Sequence, residues 1–493
     1  MPIDATAVAR VLGIDAQYQD LRSGAVANLP QRIYVVAQGA SDATIDTTKF
    51  RATSSAQVAA RAGFGSPAHL IAKQLFPDNG DGVGTVPVTF ALLEDGYDAA
   101  PATGTITPGG AQTASKQYRV VVSGIRSAPF VVAAAESVAS RCAKITAAIN
   151  GQLDMPVIAE DGGTVVNLTS KWAGVSANAI VVEVEGEEAG GTFAVVQPSG
   201  GLVNPSVSPA LAQIGNVWET FVLNALNIDD TDALNAYREF GEGRWGALVR
   251  KPLVVFTGVT DTTVDNATAI SAERTTDRVN AQLVAPGSVN LPFVVAAREL
   301  ARIAVMANNN PPADYAGLKA TGLLPGDDGD QWDYPTRDQA VKAGSSTVEV
   351  NGGVIELADT VTFYAPAGDP LPAYRFVNDI VKVANIIYNL ALIFEAQEWK
   401  GAPLIPDSQP TANPLARKPK AAKAAVCVMH DALGLAAIIS DPEFAKANTT
   451  AAIDTQNPRR LNVQTTVKLS GNTGIVDVSL NFGFYLGTPV VIG

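Results

Sequence analysis

Regular alternation of strand and helix patterns constrains the fold of this chain more than any other feature. The predicted elements are strands at 220–226, 252–258 and 280–286 and helices at 231–242, 264–279 and 291–308. Strands separated by helices of this length favour a parallel sheet with helices on both faces. A strand at 32–38 is expected to join the same sheet, so the sequence predicts an α/β domain.

Changes of composition on either side of this region indicate further domains. Residues 86–200 are rich in Thr, Val, Ala and Gly in short strand-like pieces around one helical stretch at 134–150, and residues after 330 change style again. The fold class is therefore multidomain, with α/β and α+β parts. The predicted domains are an N-terminal arm at 1–25, an α/β core at 26–85 with 201–330, an inserted β-rich domain at 86–200, an α+β C-terminal domain at 331–475 and a C-terminal strand arm at 476–493.

The end of the chain has a strict alternation of apolar and polar residues. Val463, Val467 and Leu469 alternate with polar residues, and a second alternating run at 476–486 follows the turn signal Ser-Gly-Asn-Thr-Gly. This pattern predicts a long, half-buried β-hairpin. Because an isolated two-stranded hairpin is marginally stable in water, one of its edges is expected to pair with another strand, in this molecule or in another.

A long helix is predicted before the terminal strands. One apolar stripe runs along it at steps of four and three residues, through Phe376, Ile380, Val383, Ile387, Leu390 and Phe394. The uncharged run at 383–394 is only 12 residues long and contains two asparagines. It is too short to span a bilayer, so a buried core helix is expected.

Charge and hydropathy point to a subunit of an assembly. Hydrophobic residues make up 47% of the 493, only 17% are charged, and the formal net charge is −13. A low charged fraction suggests surface that is covered by other molecules, and the negative charge argues against binding to nucleic acid or to an anionic membrane. The chain start lacks a signal-peptide pattern, so synthesis in the cytosol is expected.

Candidate chemical motifs are weak. The two histidines, His69 and His430, lie in helical contexts outside any nucleophile motif, and Cys427 three residues before His430 lacks further ligands. The segment 63–68 matches the dinucleotide-binding glycine pattern but follows a helix, and the Asp-rich stretch at 326–334 lacks the glutamate that a calcium loop needs. We expect no catalytic residue, no metal site and no cofactor.

The densest basic run of the chain begins another predicted helix. It contains Arg417, Lys418, Lys420 and Lys423 within residues 416–425. Such a run is commonly a solvated helix face. In a chain of net charge −13 it is equally a candidate docking patch for an acidic partner.

Several segments, in this order, resemble the contractile tail sheath proteins of Mu-like phages. They are ANLPQRIYVVAQGA (27–40), AGFGSPAHLIAKQLF (62–76), NNPPADYAGLKATGLLPG (309–326), NGGVIELADTVTFY (351–364), AYRFVNDIVKVANIIYNLALIF (373–394) and NPRRLNVQTTVKLSGNTGIVDVSLNFGFYL (457–486). The resemblance covers nearly the whole chain except 86–200. No single segment is diagnostic, but their shared order is specific.

The resemblance implies a helical homo-oligomer around an inner tail tube, which contracts to drive that tube through a host envelope. It implies a tube-facing C-terminal domain, an outward 86–200 domain, baseplate and tail terminator proteins as further partners, and a place in the virion after assembly in the host cytoplasm. Strands at both chain ends would pair with neighbouring subunits through Val8, Val11, Leu12, Ile14, Val476, Val478, Leu480, Phe482, Phe484 and Leu486. Residues 416–425 would contact the tube.

Three alternatives stay open at this point. The same kind of sheath serves non-phage contractile injection systems such as bacteriocins. An α/β hydrolase-like enzyme is compatible with the predicted sheet, although the histidine count and the missing motifs argue against it. A non-contractile adhesive or surface-layer subunit would also polymerise.

Overall fold

The central sheet pairs the first strand of the described residues with a strand much later in the sequence. A computed structural model describes residues 26–187, 189–369, 372–474, 476–480 and 482. Its first elements are β1 (Ile33–Gln38), β2 (Phe50–Ala52), α1 (Ser55–Ala62), α2 (Pro67–Leu75) and β3 (Val88–Leu93). β1 pairs in parallel with β3 on one side and with residues 221–224 on the other, in the register Ile33 to Phe221. The expectation that this strand joins the parallel sheet is confirmed.

A second group of elements follows β3. It comprises β4 (Pro101–Gly109), β5 (Lys116–Val122), β6 (Ile125–Arg126), β7 (Phe130–Val132), α3 (Val138–Asn150), β8 (Val157–Asp161), β9 (Val166–Ala173), a short 3-10 helix (Val175–Ala179), β10 (Val182–Gly186) and β11 (Thr192–Ser199). The strands form two four-stranded antiparallel sheets, and α3 contacts strands of both. The predicted helix at 134–150 is thus confirmed, while the domain boundaries at 86 and 200 stay a prediction.

The chain then returns to the central sheet. The next elements are α4 (Ser208–Ala212), β12 (Phe221–Asn224), α5 (Thr231–Trp245), β13 (Val254–Val259), α6 (Val264–Glu273), β14 (Asn280–Val284) and α7 (Pro292–Asn309). The strand order is β14-β13-β12-β1-β3-β2, and all neighbours are parallel except the edge strand β2. The predicted alternation of strands and helices is confirmed.

Both faces of this sheet are covered, which explains why its strands read as continuous apolar runs. Every residue of β1, β12, β13 and β14 is buried. Ile33 and Val35 belong to the core cluster that contains α2 and α7 residues, whereas Tyr34 and Val36 belong to the opposite cluster with α4 and α5 residues. Burial on both faces makes this sheet the rigid centre of the subunit.

The remaining elements form the C-terminal part. They are α8 (Tyr334–Lys342), β15 (Val348–Asn351), β16 (Val354–Leu357), α9 (Val377–Phe394), α10 (Pro419–Leu435), α11 (Pro442–Ala447), β17 (Thr450–Ile453) and β18 (Leu461–Gln464). β15 and β16 form a hairpin, as the turn signal Asn-Gly-Gly at 351–353 predicts, with Gly352 and Gly353 at φ 59° and 77° in its turn. Positive φ at both positions is what a tight hairpin turn requires, and glycine adopts it without strain.

The predicted terminal hairpin is not formed by the described residues, and residues 475, 481 and 483–486 of the prediction lie outside them. Residues 461–464 pair with β17 instead, and the described residues 476–480 have no strand structure. A local turn favours this pairing, because the Asp454 carboxylate accepts hydrogen bonds from the N–H groups of Gln456 and Asn457 at 2.9 and 3.0 Å. The predicted turn segment is instead bound to α9. The Asn472 Oδ1 accepts a hydrogen bond from Lys382 Nζ at 2.6 Å.

The apolar stripe predicted on α9 is not its most buried face. Phe376, Val383, Ile387, Leu390 and Phe394 are only half-buried, while polar residues on the same helix are fully buried. Among the described residues α9 alone is long and apolar enough to cross a membrane by length and composition, with a mean hydropathy of 1.4, and half of it is buried in the fold. Such helices occur in the cores of soluble proteins, and α9 packs as one.

Replacement of Glu299 by Gln is expected to stabilise the protein at neutral pH. Glu299 lies in α7 at 1% exposure, its Oε1 has no hydrogen-bond partner among the described residues, and burial raises its pKa well above the usual value of 4.5. The folded carboxyl therefore keeps a proton that the unfolded chain releases, and stability falls as pH rises above about 4.5. At pH 7 this costs up to about 3 kcal/mol, the work of protonating an ordinary glutamate.

The measurement is thermal unfolding at pH 4.5 and pH 7. E299Q should raise Tm by several degrees at pH 7 and change it little at pH 4.5. The exposed Glu273 of α6 provides the matched control, because E273Q removes the same charge from a solvated helix position. An equal Tm shift at both pH values would contradict a protonated Glu299.

Candidate functional site

The C-terminal segment exposes a row of large apolar side chains. Val476, Val478, Leu480 and Phe482 are 72%, 75%, 77% and 89% exposed, and the polar residues Asp477 and Ser479 lie between them. A contiguous exposed apolar row of this kind marks an interaction surface. The remaining predicted pairing residues, Val8, Val11, Leu12, Ile14, Phe484 and Leu486, lie outside the described residues.

A two-stranded sheet near this segment has an unpaired edge. β17 and β18 pair only with each other within the described part of the chain, and α10 covers one face of this sheet. The face that α10 covers includes Val463, which joins a core cluster with Val426 and Leu433. The backbone groups along an unpaired strand edge are a template for a further strand.

An apolar groove of about 860 Å³ lies beside β18. The C-terminal end of α9 and the following loop supply Leu390, Phe394, Trp399 and Leu404, and β18 supplies Leu461 and Val463. Arg250 and Arg459 add positive charge to the groove. Leu390 and Phe394, at the C-terminal end of the α9 stripe, thus line an open groove, which explains why these two residues are not fully buried.

The four residues of the basic cluster at the start of α10 differ in their contacts. Arg417 forms an ion pair with Glu398 at 3.3 Å, and Lys418 Nζ donates to the Gln409 carbonyl at 2.6 Å. Lys420 and Lys423 are exposed, and their ammonium groups make no contact with other described residues. The structure brings the four residues together, with two of them fastening local loops and two pointing to solvent.

His69 has a structural role that the sequence did not reveal. Its Nδ1 accepts a hydrogen bond from the Gly65 N–H at 3.0 Å, and burial lowers its pKa to about 4. It therefore stays neutral at physiological pH and fastens the turn between α1 and α2. The glycine pattern at 63–68 is this helix-helix turn and follows α1, so it lacks the preceding strand of a dinucleotide site.

His430 is also part of the packing. It is fully buried on α10, its Nε2 lies 2.8 Å from Thr465 Oγ1, and burial lowers its pKa. This contact ties α10 to the residue that follows β18. Cys427 is not part of the contact, and the described residues contain no group of three His, Cys, Asp or Glu side chains that could hold a metal ion.

The Asp-rich stretch at 326–334 serves the next helix. Asp333 caps α8 by accepting a hydrogen bond from the Thr336 N–H at 3.0 Å, and Asp328 accepts one from the Gln331 side chain at 3.3 Å. These contacts account for the pattern that resembled a calcium loop.

Polar groups occupy the crevice where open parallel sheets commonly bind ligands. Sheet order reverses between β1 and β12, and Gln38 at the end of β1 donates to Asp95 and to the Ala173 carbonyl at 2.9 and 2.6 Å. Asn204 similarly donates to Asn227 and Asp230 at 2.6 and 2.8 Å. The donor groups of Gln38 and Asn204 are thus bound by other residues of the chain.

Comparison with known proteins gives one clear sequence relative. The Mu-like prophage FluMu tail sheath protein of Haemophilus influenzae is 26% identical over 384 residues, which cover 75% of this chain and 77% of the relative. The chain is homologous to contractile tail sheath proteins. No family model matches the chain.

Solved structures share the fold of this sheath homologue. The helical sheath of the anti-feeding prophage, solved in its contracted state, aligns with a TM-score of 0.50 over 96% of this chain and 99% of that chain, at 8% identity. The sheath tail protein of Listeria innocua aligns with a TM-score of 0.49 over 92% and 94% of the two chains, at 11% identity. The chain therefore shares the mixed α/β multidomain fold of the anti-feeding prophage sheath protein.

Two parts of the candidate site were not predicted from the sequence of the chain. β17 was not predicted, although Asp454, Asn457 and Pro458 mark a turn after it. The groove could not be predicted, because it is built from segments about 70 residues apart in sequence, Leu390 to Phe394 and Leu461 to Thr465.

Proposed function

We propose that the protein is the structural subunit of a contractile tail sheath, which polymerises helically around an inner tail tube and contracts to drive that tube through a host envelope. The observation that carries this proposal is the combination of an exposed, alternating apolar segment at 476–482 with an unpaired strand edge and an apolar groove on the same subunit. Homology to sheath proteins supports it independently.

The proposed link between subunits is strand addition. The apolar residues of segment 476–482 would lie in the groove of a neighbouring subunit, where its backbone would pair with the free edge of β18. Main-chain hydrogen bonds supply affinity in such contacts, and alternate side chains supply specificity. Val8, Val11, Leu12 and Ile14 are proposed as a second donor from the N-terminal arm.

A donor and an acceptor at different places on one subunit give a head-to-tail contact. Such a contact forms an open helical assembly when the rotation between subunits does not close into a ring. During contraction the arms would stay paired while the subunits turn as rigid bodies, and the energy would come from surface buried only in the contracted packing. No nucleotide is needed for this mechanism.

The domain arrangement is part of the proposal. Residues 26–85 with 201–330 would form the core of the sheath wall, 86–200 would project outward and 331–475 would face the tube, between arms at 1–25 and 476–493. Baseplate and tail terminator proteins are the proposed partners at the two ends of the sheath. The proposed location is the tail of the virion, after assembly in the host cytoplasm.

The basic cluster is the proposed contact with the inner tube. Lys420 and Lys423 lie in the first turns of α10, where the helix dipole disfavours cations by about 0.3–1 kcal/mol each. The paired residues Arg417 and Lys418 fix the loop that presents them. An acidic tube surface would offset the unfavourable dipole. Because these pairs would be partly solvated and individually weak, they could separate on contraction.

Charge reversal of the cluster is expected to weaken tube binding and to spare self-assembly. The variant K418E/K420E/K423E would lose attraction to an acidic tube by at least tenfold in affinity, since each exposed pair contributes about 0.2–1 kcal/mol and reversal adds repulsion. The measurement is a pull-down with the purified tube protein. Reversal of Lys319 and Lys342, which lie outside the cluster, is the control, and unchanged tube binding by the triple variant would exclude the contact.

Electron microscopy of the purified protein tests the proposed function directly. Tubes of two diameters, long and narrow or short and wide, are expected from a contractile sheath. Tubes or sheets of one form only would favour a surface-layer subunit instead.

The same geometry also fits the sheath of a non-phage contractile injection system. The fold shared with the anti-feeding prophage sheath favours this second candidate. Capsid and terminase genes beside the coding sequence would identify a phage tail, and their absence from a complete cluster would identify an injection system.

A further inference from the structure

Helix α9 carries a row of buried polar side chains on one face. Asn378, Lys382, Asn385 and Asn389 follow one another at steps of four, three and four residues, and all are less than 8% exposed. Burial of amides and of an ammonium group is costly unless they are hydrogen-bonded. In this helix the row bonds to the two segments that lead to the chain ends.

The N-terminal segment is held by two asparagines. Asn389 Oδ1 accepts from the Ala27 N–H at 3.1 Å while its Nδ2 donates to the Ala27 carbonyl at 3.0 Å, so that the side-chain amide pairs with the backbone as a neighbouring strand would. Asn385 Oδ1 accepts from the Leu29 N–H at 2.8 Å. Val26 packs against the core cluster that contains Ile386 of α9.

The C-terminal segment is held by the lysine of the same row. Lys382 Nζ is fully buried and donates to the Ser470 carbonyl at 2.7 Å and to Asn472 Oδ1 at 2.6 Å, beside an ion pair with Asp379 at 2.9 Å. Asn378 Nδ2 donates to the same Asn472 oxygen at 3.1 Å. Ser470 and Asn472, a few residues before the exposed apolar segment, are thus fastened to α9.

We infer that α9 is the common anchor of both arms and transmits tension between them. This inference rests on the proposed linking of neighbours by the arms. Lys382 and Asn389 are seven residues apart, about 10 Å along the helix axis. Tension from a neighbour that holds one arm would reach the other arm through this short stretch of helix. The other domains could then turn during contraction without placing tension on the arm contacts between neighbouring subunits.

Hydrogen exchange on the free, full-length subunit tests the anchoring without any assembly. In N385A/N389A the amides of Ala27 and Leu29 lose their side-chain acceptors, and their exchange should accelerate roughly tenfold while that of Ser470 stays unchanged. K382M should have the converse effect: it frees the Ser470 carbonyl, and the resulting local opening should speed exchange of the Ser470 amide, which donates to the Ile438 carbonyl at 3.1 Å, and leave Ala27 and Leu29 unchanged. N266A, at an exposed asparagine on α6, is the control. Unchanged exchange at Ala27 and Leu29 in the double variant would overturn the anchoring.

Contraction of assembled tubes tests the transmission of tension. Tubes of N385A/N389A and of K382M should form, but they should break into short pieces when contraction is triggered by heat, whereas N266A tubes stay whole. Intact contraction of both anchor variants would overturn the inference and leave the proposed function standing. If the wild-type protein forms no tubes, both the proposed function and the proposed transmission of tension are refuted. The hydrogen-exchange experiment on the free subunit still tests whether α9 anchors the two segments.

Discussion

Removal of residues 476–493 is expected to give a folded monomer that forms no tubes. The described apolar residues of this segment are 72–89% exposed, so no core contact is lost with them. Deletion of exposed surface groups changes stability by about 0.5 kcal/mol or less. In the proposed assembly the same residues fill the groove of a neighbour, and their loss would remove one complete inter-subunit link.

The measurement combines light scattering, circular dichroism and negative-stain microscopy. The truncated protein should have an unchanged spectrum, a Tm within a degree or two of the full chain, and a monomer mass at concentrations where the full chain polymerises. Full-length variants show whether the defect comes from the loss of apolar side chains or from the shorter chain. V478N/L480N should reproduce the defect, whereas D477N/S479N, on the other face of the segment, should assemble. Normal tubes from the truncated protein would refute strand addition by this arm.

The sequence predicted the elements whose partners are local or whose burial is complete. β1, β12, β13 and β14 are buried at every position, so their apolar runs are visible without knowledge of their partners. The hairpin at 348–357 depends on two glycines in its own turn. Such elements are determined by residues close together in sequence, and their prediction from sequence was correct.

Prediction failed where distant side chains compete with a local pattern. The turn signal at 470–474 is strong, but buried Lys382 and Asn378 bind Asn472 and divert the chain from a hairpin. The apolar stripe of α9 implied a buried face, yet the helix buries its asparagines because they bond to the backbone of residues 27 and 29. Hydropathy patterns cannot reveal such pairs, since their members are about 90 and 360 residues apart.

Of the two parts of the candidate site, only the donor segment was predictable from the sequence, and the acceptor was not. The alternating pattern of the donor predicts a segment that needs a partner strand, and its described apolar residues are exposed. The acceptor could not be predicted, because it depends on tertiary contacts. Its strand, β18, pairs with β17, and its groove combines residues of α9, a loop and β18.

Substitution of Leu461 by Lys is expected to block the acceptor and leave the donor intact. Leu461 lines the groove but is not part of the core cluster beneath β18, so a solvated lysine is tolerated in the free subunit. In the assembly a lysine would be covered by the apolar donor beside Arg250 and Arg459, without a counter-charge. An uncompensated buried charge costs about 3–5 kcal/mol, a loss of at least 100-fold in the affinity of each contact.

Polymerisation measured by sedimentation should therefore fail for L461K and proceed for Q464K. Gln464 lies on the same strand with an exposed side chain, which makes Q464K a control for added charge. Mixing gives the sharper test. L461K subunits retain a donor, and subunits lacking 476–493 retain an acceptor, so the mixture should form one-to-one complexes that neither protein forms alone, and these cannot grow. If the mixed proteins remain monomers at concentrations where wild type polymerises, the groove beside β18 is not the acceptor of the C-terminal segment.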